Sequence, residues 1–173
     1  MHNPINSAIK MFVLFIVLLL TGCISLETKG SEAQDFSLKL YGPPGVYEDE
    51  EFTLSSSFGQ PIILNFWFPS CPPCAREIPE INQFHEEYKD SVTVVGIQLI
   101  GIDTIESGRD FMKSKNVSYR VGPDNDGSIT VDYSISGFPT TIFIDKRGHI
   151  HEKWEGEIKK SDMVEISKQI FEK

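Results

Sequence analysis

The chain is organised around a segment in which an apolar run, a pair of cysteines and an amphipathic pattern follow one another directly. Pro61 to Phe68 is almost entirely apolar, which is typical of a central strand covered on both faces. Cys71 and Cys74 follow, separated by two prolines, and from Pro72 to Lys89 apolar residues recur at helical spacing. The segment therefore predicts a buried strand, a tight turn and a helix that carries a dithiol at its N-terminus.

The spacing of the cysteines predicts thiol–disulfide chemistry. In the first turn of a helix, residues three apart share one face and lie within disulfide reach. Cys71 is the predicted N-cap, where unpaired N–H groups and the helix dipole stabilise a thiolate and lower the pKa of the thiol. Cys71 is thus the predicted nucleophile and Cys74 the resolving thiol. The prolines at 72 and 73 leave the N–H of Cys74 as the main backbone donor near Cys71, which favours a reducing potential.

Two interpretations of the cysteine pair involve no redox chemistry. A structural zinc site needs about four ligands, and one Cys-x-x-Cys pair supplies only half of them. The histidines have no paired spacing suited to completing such a site. A purely structural disulfide across this short gap would add little stability, because it closes a short loop. The sequence therefore favours thiol–disulfide exchange over both.

The N-terminal region has the layout of a secretory signal. Lys10 precedes ten consecutive apolar residues, Met11 to Leu20, and small residues follow, as in a signal peptide. A run of this length rises about 15 Å as a helix, about half of the hydrocarbon thickness, so a permanent membrane span is the weaker interpretation. The segment Leu20-Thr21-Gly22-Cys23 resembles the lipobox of bacterial lipoproteins.

The lipobox resemblance implies cleavage before Cys23 and lipidation of that cysteine, which accounts for the odd cysteine. Residues 1–22 are then a removed signal peptide. Residues 23–34 show no periodicity and are predicted to form a flexible tether, and residues 35–173 to form the folded domain. The protein is therefore expected outside the cytoplasm, anchored to a membrane as a lipoprotein by acyl chains.

The rest of the chain alternates strand and helix patterns. The predicted order is β-β-β-α-β-α-β-α-β-β-α, which indicates a three-layer α/β domain. Asp103 or Thr104 is the predicted cap of a helix that ends near Lys115. Val117 to Val121 is a predicted strand, and Ser161 is the predicted cap of the last helix.

Two motifs resemble the thioredoxin-like family that includes the TlpA and ResA proteins. The first is Asn-Phe-Trp-x-x-x-Cys-Pro-Pro-Cys-x-x-Glu-x-Pro from Asn65 to Pro79, and the second is Gly-Phe-Pro-Thr-Thr-x-Phe-Ile-Asp from Gly137 to Asp145. The resemblance covers about residues 35–171. It implies a thioredoxin-like three-layer α/β/α fold with a central mixed sheet, an N-terminal β-hairpin and a helix–strand insertion at about residues 100–122.

The resemblance also implies roles for residues of both motifs. Pro139 is expected to follow a cis peptide bond, to face the dithiol and to leave the backbone of Phe138 free to pair with a substrate chain. Glu77 matches a glutamate that the family holds near the dithiol, and its implied role is proton transfer to or from Cys74. The alternative for Glu77 is a solvated helix carboxylate.

Three further residues affect the expected site. Asn65 takes the place of the buried aspartate of thioredoxin, which removes the usual proton acceptor and strengthens the case for Glu77. Ser70 stands where many relatives have Trp, and a small residue there is expected to open access to Cys71 or to change which partners dock. Trp67 is expected to pack beneath the turn and also to contact the substrate.

Together these features predict a thiol–disulfide oxidoreductase that reduces protein disulfides and uses no cofactor or metal. The expected partners are proteins with disulfides or dithiols and a membrane dithiol that donates electrons. The resemblance to ResA implies apocytochrome c before haem attachment as a candidate substrate. Nucleic acid is not an expected partner, because the formal net charge is -9 and no basic cluster is present. The open alternatives are a disulfide oxidase or isomerase, a thiol peroxidase and a copper-binding chaperone.

Overall fold

The computed structural model describes residues 30–43 and 45–171. The strands are β1 (Ser37–Lys39), β2 (Glu51–Thr53), β3 (Ile62–Trp67), β4 (Thr93–Leu99), β5 (Arg120–Asp124), β6 (Thr140–Ile144) and β7 (Ile150–Glu155). The helices are α1 (Pro72–Tyr88), α2 (Ile105–Ser114), α3 (Ser128–Asp132) and α4 (Lys160–Phe171), and a 3-10 turn covers Ser55–Ser57. This is the predicted order of elements.

The last five strands form one mixed sheet with the order β5-β4-β3-β6-β7. β3 lies at its centre, parallel to β4 and antiparallel to β6. β1 and β2 pair separately as an antiparallel hairpin. α2 and β5 lie in the region of the predicted helix–strand insertion, and β5 is at the sheet edge. The predicted α/β fold, with its central mixed sheet and N-terminal hairpin, is confirmed.

The alternation of side chains along β3 divides the core into two halves. Ile63 and Trp67 belong to the half that contains residues of α1, α2 and α4. The other hydrophobic residues of β3 belong to the second half, which also contains residues of α3 and of the β1–β2 hairpin. Every residue of β3 is buried, as expected for a strand covered on both faces. By the two-residue period of a strand, Asn65 faces α1.

β5 begins later than the sequence predicted. It starts at Arg120 and ends at Asp124, whereas the apolar pattern predicted Val117–Val121. The carboxylate of Asp124 is buried and accepts hydrogen bonds from the N–H groups of Ile129 (3.3 Å) and Thr130 (2.8 Å) at the start of α3. These bonds satisfy the buried charge and allow a polar residue to end the strand.

The two predicted helix caps have different outcomes. Thr104 precedes α2, and its hydroxyl accepts a hydrogen bond from the N–H of Ser107 at 3.2 Å, so this prediction is confirmed. α4 begins at Lys160, so Ser161 lies inside the helix and its predicted capping role is wrong. The carboxylate of Asp162 instead accepts a hydrogen bond from the N–H of Lys159 at 3.2 Å.

Residues 31–33 pair with the turn between β6 and β7. Glu32 forms an antiparallel bridge with His149, and the N–H of Ala33 donates to the carbonyl of Gly148 at 2.8 Å. Ala33 is also buried. The predicted boundary between tether and domain after residue 34 is therefore too late, because these residues are already bonded to the domain.

This N-terminal bridge and the cysteine turn lie at opposite ends of the sheet. Ile144, the last residue of β6, pairs with Ile62, the first residue of β3. The turn after β6 is therefore at the end where β3 begins, and the turn that follows β3 is at the other end.

The predicted signal peptide, the predicted lipidation site Cys23 and most of the predicted tether lie outside the described residues. Within residues 30–43 and 45–171, no helix has the length and apolar character needed to cross a membrane.

Candidate active site

Cys71 ends the turn that joins β3 to α1 and is the N-cap of that helix. Its backbone is extended, with φ -85° and ψ 108°, and its carbonyl accepts a hydrogen bond from the N–H of Ala75 at 3.0 Å. Pro72 and Pro73 occupy the first helical positions, where a missing N–H breaks no helical hydrogen bond. The predicted N-cap position of Cys71 is confirmed.

Cys71 and Cys74 form a disulfide in the structure, with their Cα atoms 5.3 Å apart. The N–H of Cys74 donates to Sγ of Cys71, with 3.3 Å between nitrogen and sulfur. This is the backbone donor that the sequence predicted once the two prolines were excluded. Cys71 is 3% exposed and Cys74 is fully buried, so an incoming sulfur meets Cys71 first.

The second motif lies at the same end of the sheet as the disulfide. The peptide bond between Phe138 and Pro139 is cis, as the resemblance implied. The next residue, Thr140, pairs with Phe66 near the end of β3. The ring of Phe138 meets that of Phe68 edge-on, with the centroids 5.3 Å apart. Pro139 is buried and Phe138 is half-buried, so the Phe138 side chain forms part of the surface beside the cysteine turn.

Glu77 and Asn65 form a buried polar pair behind the dithiol. Both side chains are fully buried. Nδ2 of Asn65 donates to Oε1 of Glu77 at 2.7 Å and to Oγ1 of Thr141 at 3.1 Å, and the N–H of Ile158 donates to Oε2 of Glu77 at 3.0 Å. Cys74 and Glu77 are one helical turn apart on α1, so their side chains share a face of the helix. The alternative of a solvated carboxylate is therefore wrong.

Burial raises the pKa of Glu77 from its ordinary value of 4.5 to about 7. Desolvation of the carboxylate is the largest cause. The hydrogen bonds from Asn65 and Ile158 act in the opposite direction, because they stabilise the ionised form, and the nearby Glu157 carboxylate raises the pKa further. The result is a buried acid that can release or accept a proton near neutral pH, which is the property a proton-transfer group needs.

Trp67 lies beneath the turn, as predicted, but not at the surface. It is the last residue of β3 and is fully buried, and its ring packs against Phe111 with the centroids 5.2 Å apart. No part of the ring is open to a substrate in this structure. The predicted substrate contact of Trp67 is therefore corrected to core packing.

Two residues near the site were not identified from the sequence. Thr141 lies opposite Asn65 in the β3–β6 pairing, so the strand register could have found it. The sequence indicates only a helix cap for Asp103, yet its Oδ2 accepts hydrogen bonds from the N–H and the hydroxyl of Ser70 at 2.9 and 2.7 Å. Ser70 thus does more than leave space in front of Cys71, because it also ties the turn to the loop before α2.

Comparisons with known proteins agree with this geometry. The model of the AhpC/TSA family matches residues 29–153. The chain is 30% identical over 136 residues to the thioredoxin-like protein YneN of Bacillus subtilis, an alignment that covers 78% of this chain and 76% of that protein. It is 29% identical over 175 residues to the thiol-disulfide oxidoreductase ResA of Bacillus cereus, covering 92% and 95% of the two chains.

A solved structure shows the same fold. The thiol:disulfide interchange protein of the thioredoxin family from Chlorobium tepidum superposes with a TM-score of 0.72 at 25% identity, over 83% of this chain and 97% of that one. The family match, these relatives and the disulfide at a helix N-cap lead to one conclusion. The chain belongs to the AhpC/TSA family, has the thioredoxin-like fold and is a thiol–disulfide oxidoreductase.

Proposed function

We propose that this oxidoreductase works outside the cytoplasm as a reductase of protein disulfides, with Cys71 as nucleophile, Cys74 as resolving thiol and Glu77 as the group that moves the proton. The observation that carries the proposal is the buried Glu77–Asn65 contact, 2.7 Å long, one helical turn behind a disulfide at a helix N-cap. A reducing direction is supported by the prolines that follow Cys71, because they leave few N–H groups to stabilise its thiolate.

The proposed cycle starts from the reduced dithiol. The Cys71 thiolate attacks one sulfur of the substrate disulfide, the substrate S–S bond breaks, and the leaving sulfur takes a proton. Ionised Glu77 accepts the proton of Cys74, whose thiolate then attacks Sγ of Cys71. The second substrate sulfur leaves, so the substrate gains the two electrons that the dithiol loses. Asn65 and the N–H of Ile158 hold the Glu77 carboxylate in place throughout.

The substrate is proposed to dock on the surface formed by the second motif. The cis peptide bond lies between Phe138 and Pro139, and the Phe138 ring is half-buried beside Phe68. In this proposal the backbone of Phe138 pairs with an extended segment of the substrate, and Pro139 faces the dithiol.

Location and partners follow from the N-terminal sequence. In the proposal residues 1–22 are removed, Cys23 is lipidated and the domain stays at the outer side of a membrane. A reductase in that compartment needs a steady electron supply, which we assign to a membrane dithiol. Disulfides of secreted or anchored proteins are the proposed substrates, with apocytochrome c before haem attachment as the specific candidate.

A trapping experiment tests the proposal. The Cys74→Ser variant lacks the resolving thiol, so the mixed disulfide between Cys71 and the substrate should persist. Proteins recovered with this variant and released by reductant identify the substrates. The Cys71→Ser variant is the matched control and should trap none. Equal recovery with the two variants would contradict the assignment of the nucleophile.

The alternatives are separated by three measurements. A reduction potential near the value of about -270 mV for thioredoxin supports a reductase, and one near the value of about -120 mV for DsbA would make an oxidase the better assignment. Turnover of hydroperoxide would indicate a thiol peroxidase. Stoichiometric copper binding by the reduced protein would indicate a copper chaperone. Within the described residues, no group of three or more His, Cys, Asp or Glu side chains is arranged to hold a metal ion.

A further inference from the structure

Asp103 presents a carboxylate beside the residue that precedes the nucleophile. Its Oδ2 accepts both the N–H of Ser70, at 2.9 Å, and the hydroxyl of Ser70, at 2.7 Å. Ser70 is exposed and Asp103 is partly exposed. The carboxylate therefore lies beside the cysteine turn and is partly open to solvent, and the reaction proposed above does not use it.

The loop that carries Asp103 is held in a defined conformation. Ile100 and Asp103 form a parallel bridge, and Gly101 between them has φ 109°, in the region that favours glycine. Thr104 caps α2, and its carbonyl accepts a hydrogen bond from Nε2 of Gln98 at 3.0 Å. Asp103 is thus positioned by contacts on both sides, so its charge has a fixed place relative to the cysteine turn.

No nearby cation neutralises this charge in the part of the chain that the structure describes. None of the ion pairs among those residues involves Asp103. Arg76, the cation in the first turns of α1, is already paired with Glu157 at 2.8 Å. The Asp103 carboxylate beside the cysteine turn therefore has no compensating ion pair among the described residues.

We propose that Asp103 is a specificity-determining residue, which favours disulfides flanked by positive charge and disfavours disulfides flanked by negative charge. The proposal rests on thiol–disulfide exchange at Cys71 and adds the charge of the substrate segment to it. Two unit charges several ångströms apart at a protein surface change a rate by about three- to tenfold, and salt screens the effect. The hydrogen bonds to Ser70 fix where along the substrate this discrimination acts.

Small disulfides of different charge test the proposal directly. The reduced protein is mixed with cystamine, which is cationic, with dithiodipropionate, which is anionic, or with hydroxyethyl disulfide, which is neutral. In each reaction the Cys71 thiolate breaks the probe S–S bond, Cys74 then closes the protein disulfide, and each probe molecule is released as two thiols. The ratio of the cationic to the anionic rate is the readout, because the fraction of Cys71 present as thiolate cancels in it.

The Asp103→Asn variant keeps an oxygen that can accept from Ser70 and removes the charge. Its rate ratio should fall by about threefold or more at low salt, and the difference from wild type should shrink at high salt. Asp90→Asn is the matched control, because Asp90 is exposed between α1 and β4 at the opposite end of the sheet. This control makes the same change in net charge and should leave the ratio unchanged.

Two outcomes would overturn the inference. One is an equal ratio in wild type and Asp103→Asn, and the other is an equal shift in Asp90→Asn, which would assign the preference to net charge. The neutral probe separates this inference from the proposed function. A wild type that fails to exchange with the neutral probe would refute both, whereas exchange with it but no effect of Asp103→Asn on the rate ratio would refute this inference alone. The wild type alone gives a second measurement, because its ratio should fall as salt rises toward the value set by the different leaving thiols of the two probes.

Discussion

Replacing Glu77 by Gln should remove a pH dependence of stability that the buried carboxyl imposes on the fold. In the folded protein the pKa of Glu77 rises from 4.5 to about 7, so the folded state binds this proton more tightly than the unfolded chain. The stabilisation is fully present below about pH 4.5 and is lost as the pH rises through about 7. At about 1.4 kcal/mol for each pKa unit, the free energy of unfolding should fall by about 3 kcal/mol across this range.

The Gln side chain mimics the protonated acid without being able to ionise. Its oxygen can accept the N–H of Ile158, and its amide can donate to Oδ1 of Asn65 once the Asn65 amide turns over, because Nδ2 of Asn65 faces this position in the wild type. Wild type and Glu77→Gln should therefore have similar stability near pH 5. Near pH 8 the variant should be more stable by about 3 kcal/mol.

Urea unfolding of the oxidised proteins between about pH 5 and pH 8 measures this difference. The disulfide keeps both cysteines from titrating, so they do not contribute to the pH dependence. Glu152→Gln is the control, because Glu152 is exposed on β7. Its stability should follow the wild type at every pH. If Glu77→Gln also followed the wild type across the range, the buried carboxyl would not titrate with a raised pKa.

The same variant should slow the resolving step of the reaction. Stopped-flow mixing of the reduced protein with a chromogenic aromatic disulfide gives a first release of thiolate from attack by Cys71 and a second from resolution by Cys74. Loss of the proton acceptor should slow the second release by at least about tenfold at neutral pH and abolish its rise with pH through about 7. Unchanged rates of the second release would refute proton transfer by Glu77.

Two further substitutions test the polar contacts inside the domain. Replacing Gly108 by Ala should destabilise the protein by about 2 kcal/mol, because the new Cβ would lie 2.0 Å from Oε1 of Gln98 and 2.5 Å from the hydroxyl of Tyr41. This cost outweighs the helix propensity of Ala, which is better than that of Gly by about 1 kcal/mol. Urea unfolding at constant pH measures the change, and a variant as stable as wild type would contradict the close packing. Asp in place of Asn65 would put a second carboxyl 2.7 Å from Glu77, so stability should fall more steeply with rising pH than in wild type, and a parallel pH profile would argue against that contact.

The dithiol could be predicted in detail because its chemistry is local. The N-cap position of Cys71 and the donor role of the Cys74 N–H follow from helix rules applied to four consecutive residues, and both are present in the structure. The cis bond before Pro139 was implied by the family resemblance alone and is also present. The sequence thus predicted the elements that bring the two motifs to one end of the sheet.

The contacts that were missed join segments far apart in the chain. Ser70 and Asp103 are separated by 33 residues, and no periodic pattern connects a turn residue with a loop residue at that distance. The later end of β5 has a related cause, because Asp is typical of turns and only the bonds of Asp124 to the start of α3 show that it can end the strand. The burial of Glu77 does not follow from the local sequence for the same reason, since its partner Ile158 comes from a loop 81 residues away.

The pairing of Glu32 with His149 places the N-terminal segment of the domain at the end of the sheet where β3 begins. The disulfide lies at the opposite end, beyond a strand of six residues that spans about 20 Å. If the N-terminus is fixed to a membrane, the reactive sulfurs point away from the bilayer, toward the compartment in which soluble substrates diffuse. A donor embedded in the membrane would then reach them only by extending a domain of about that height, or when the enzyme tips over on its N-terminal segment. Electron input and substrate contact would thus require different orientations of one anchored molecule.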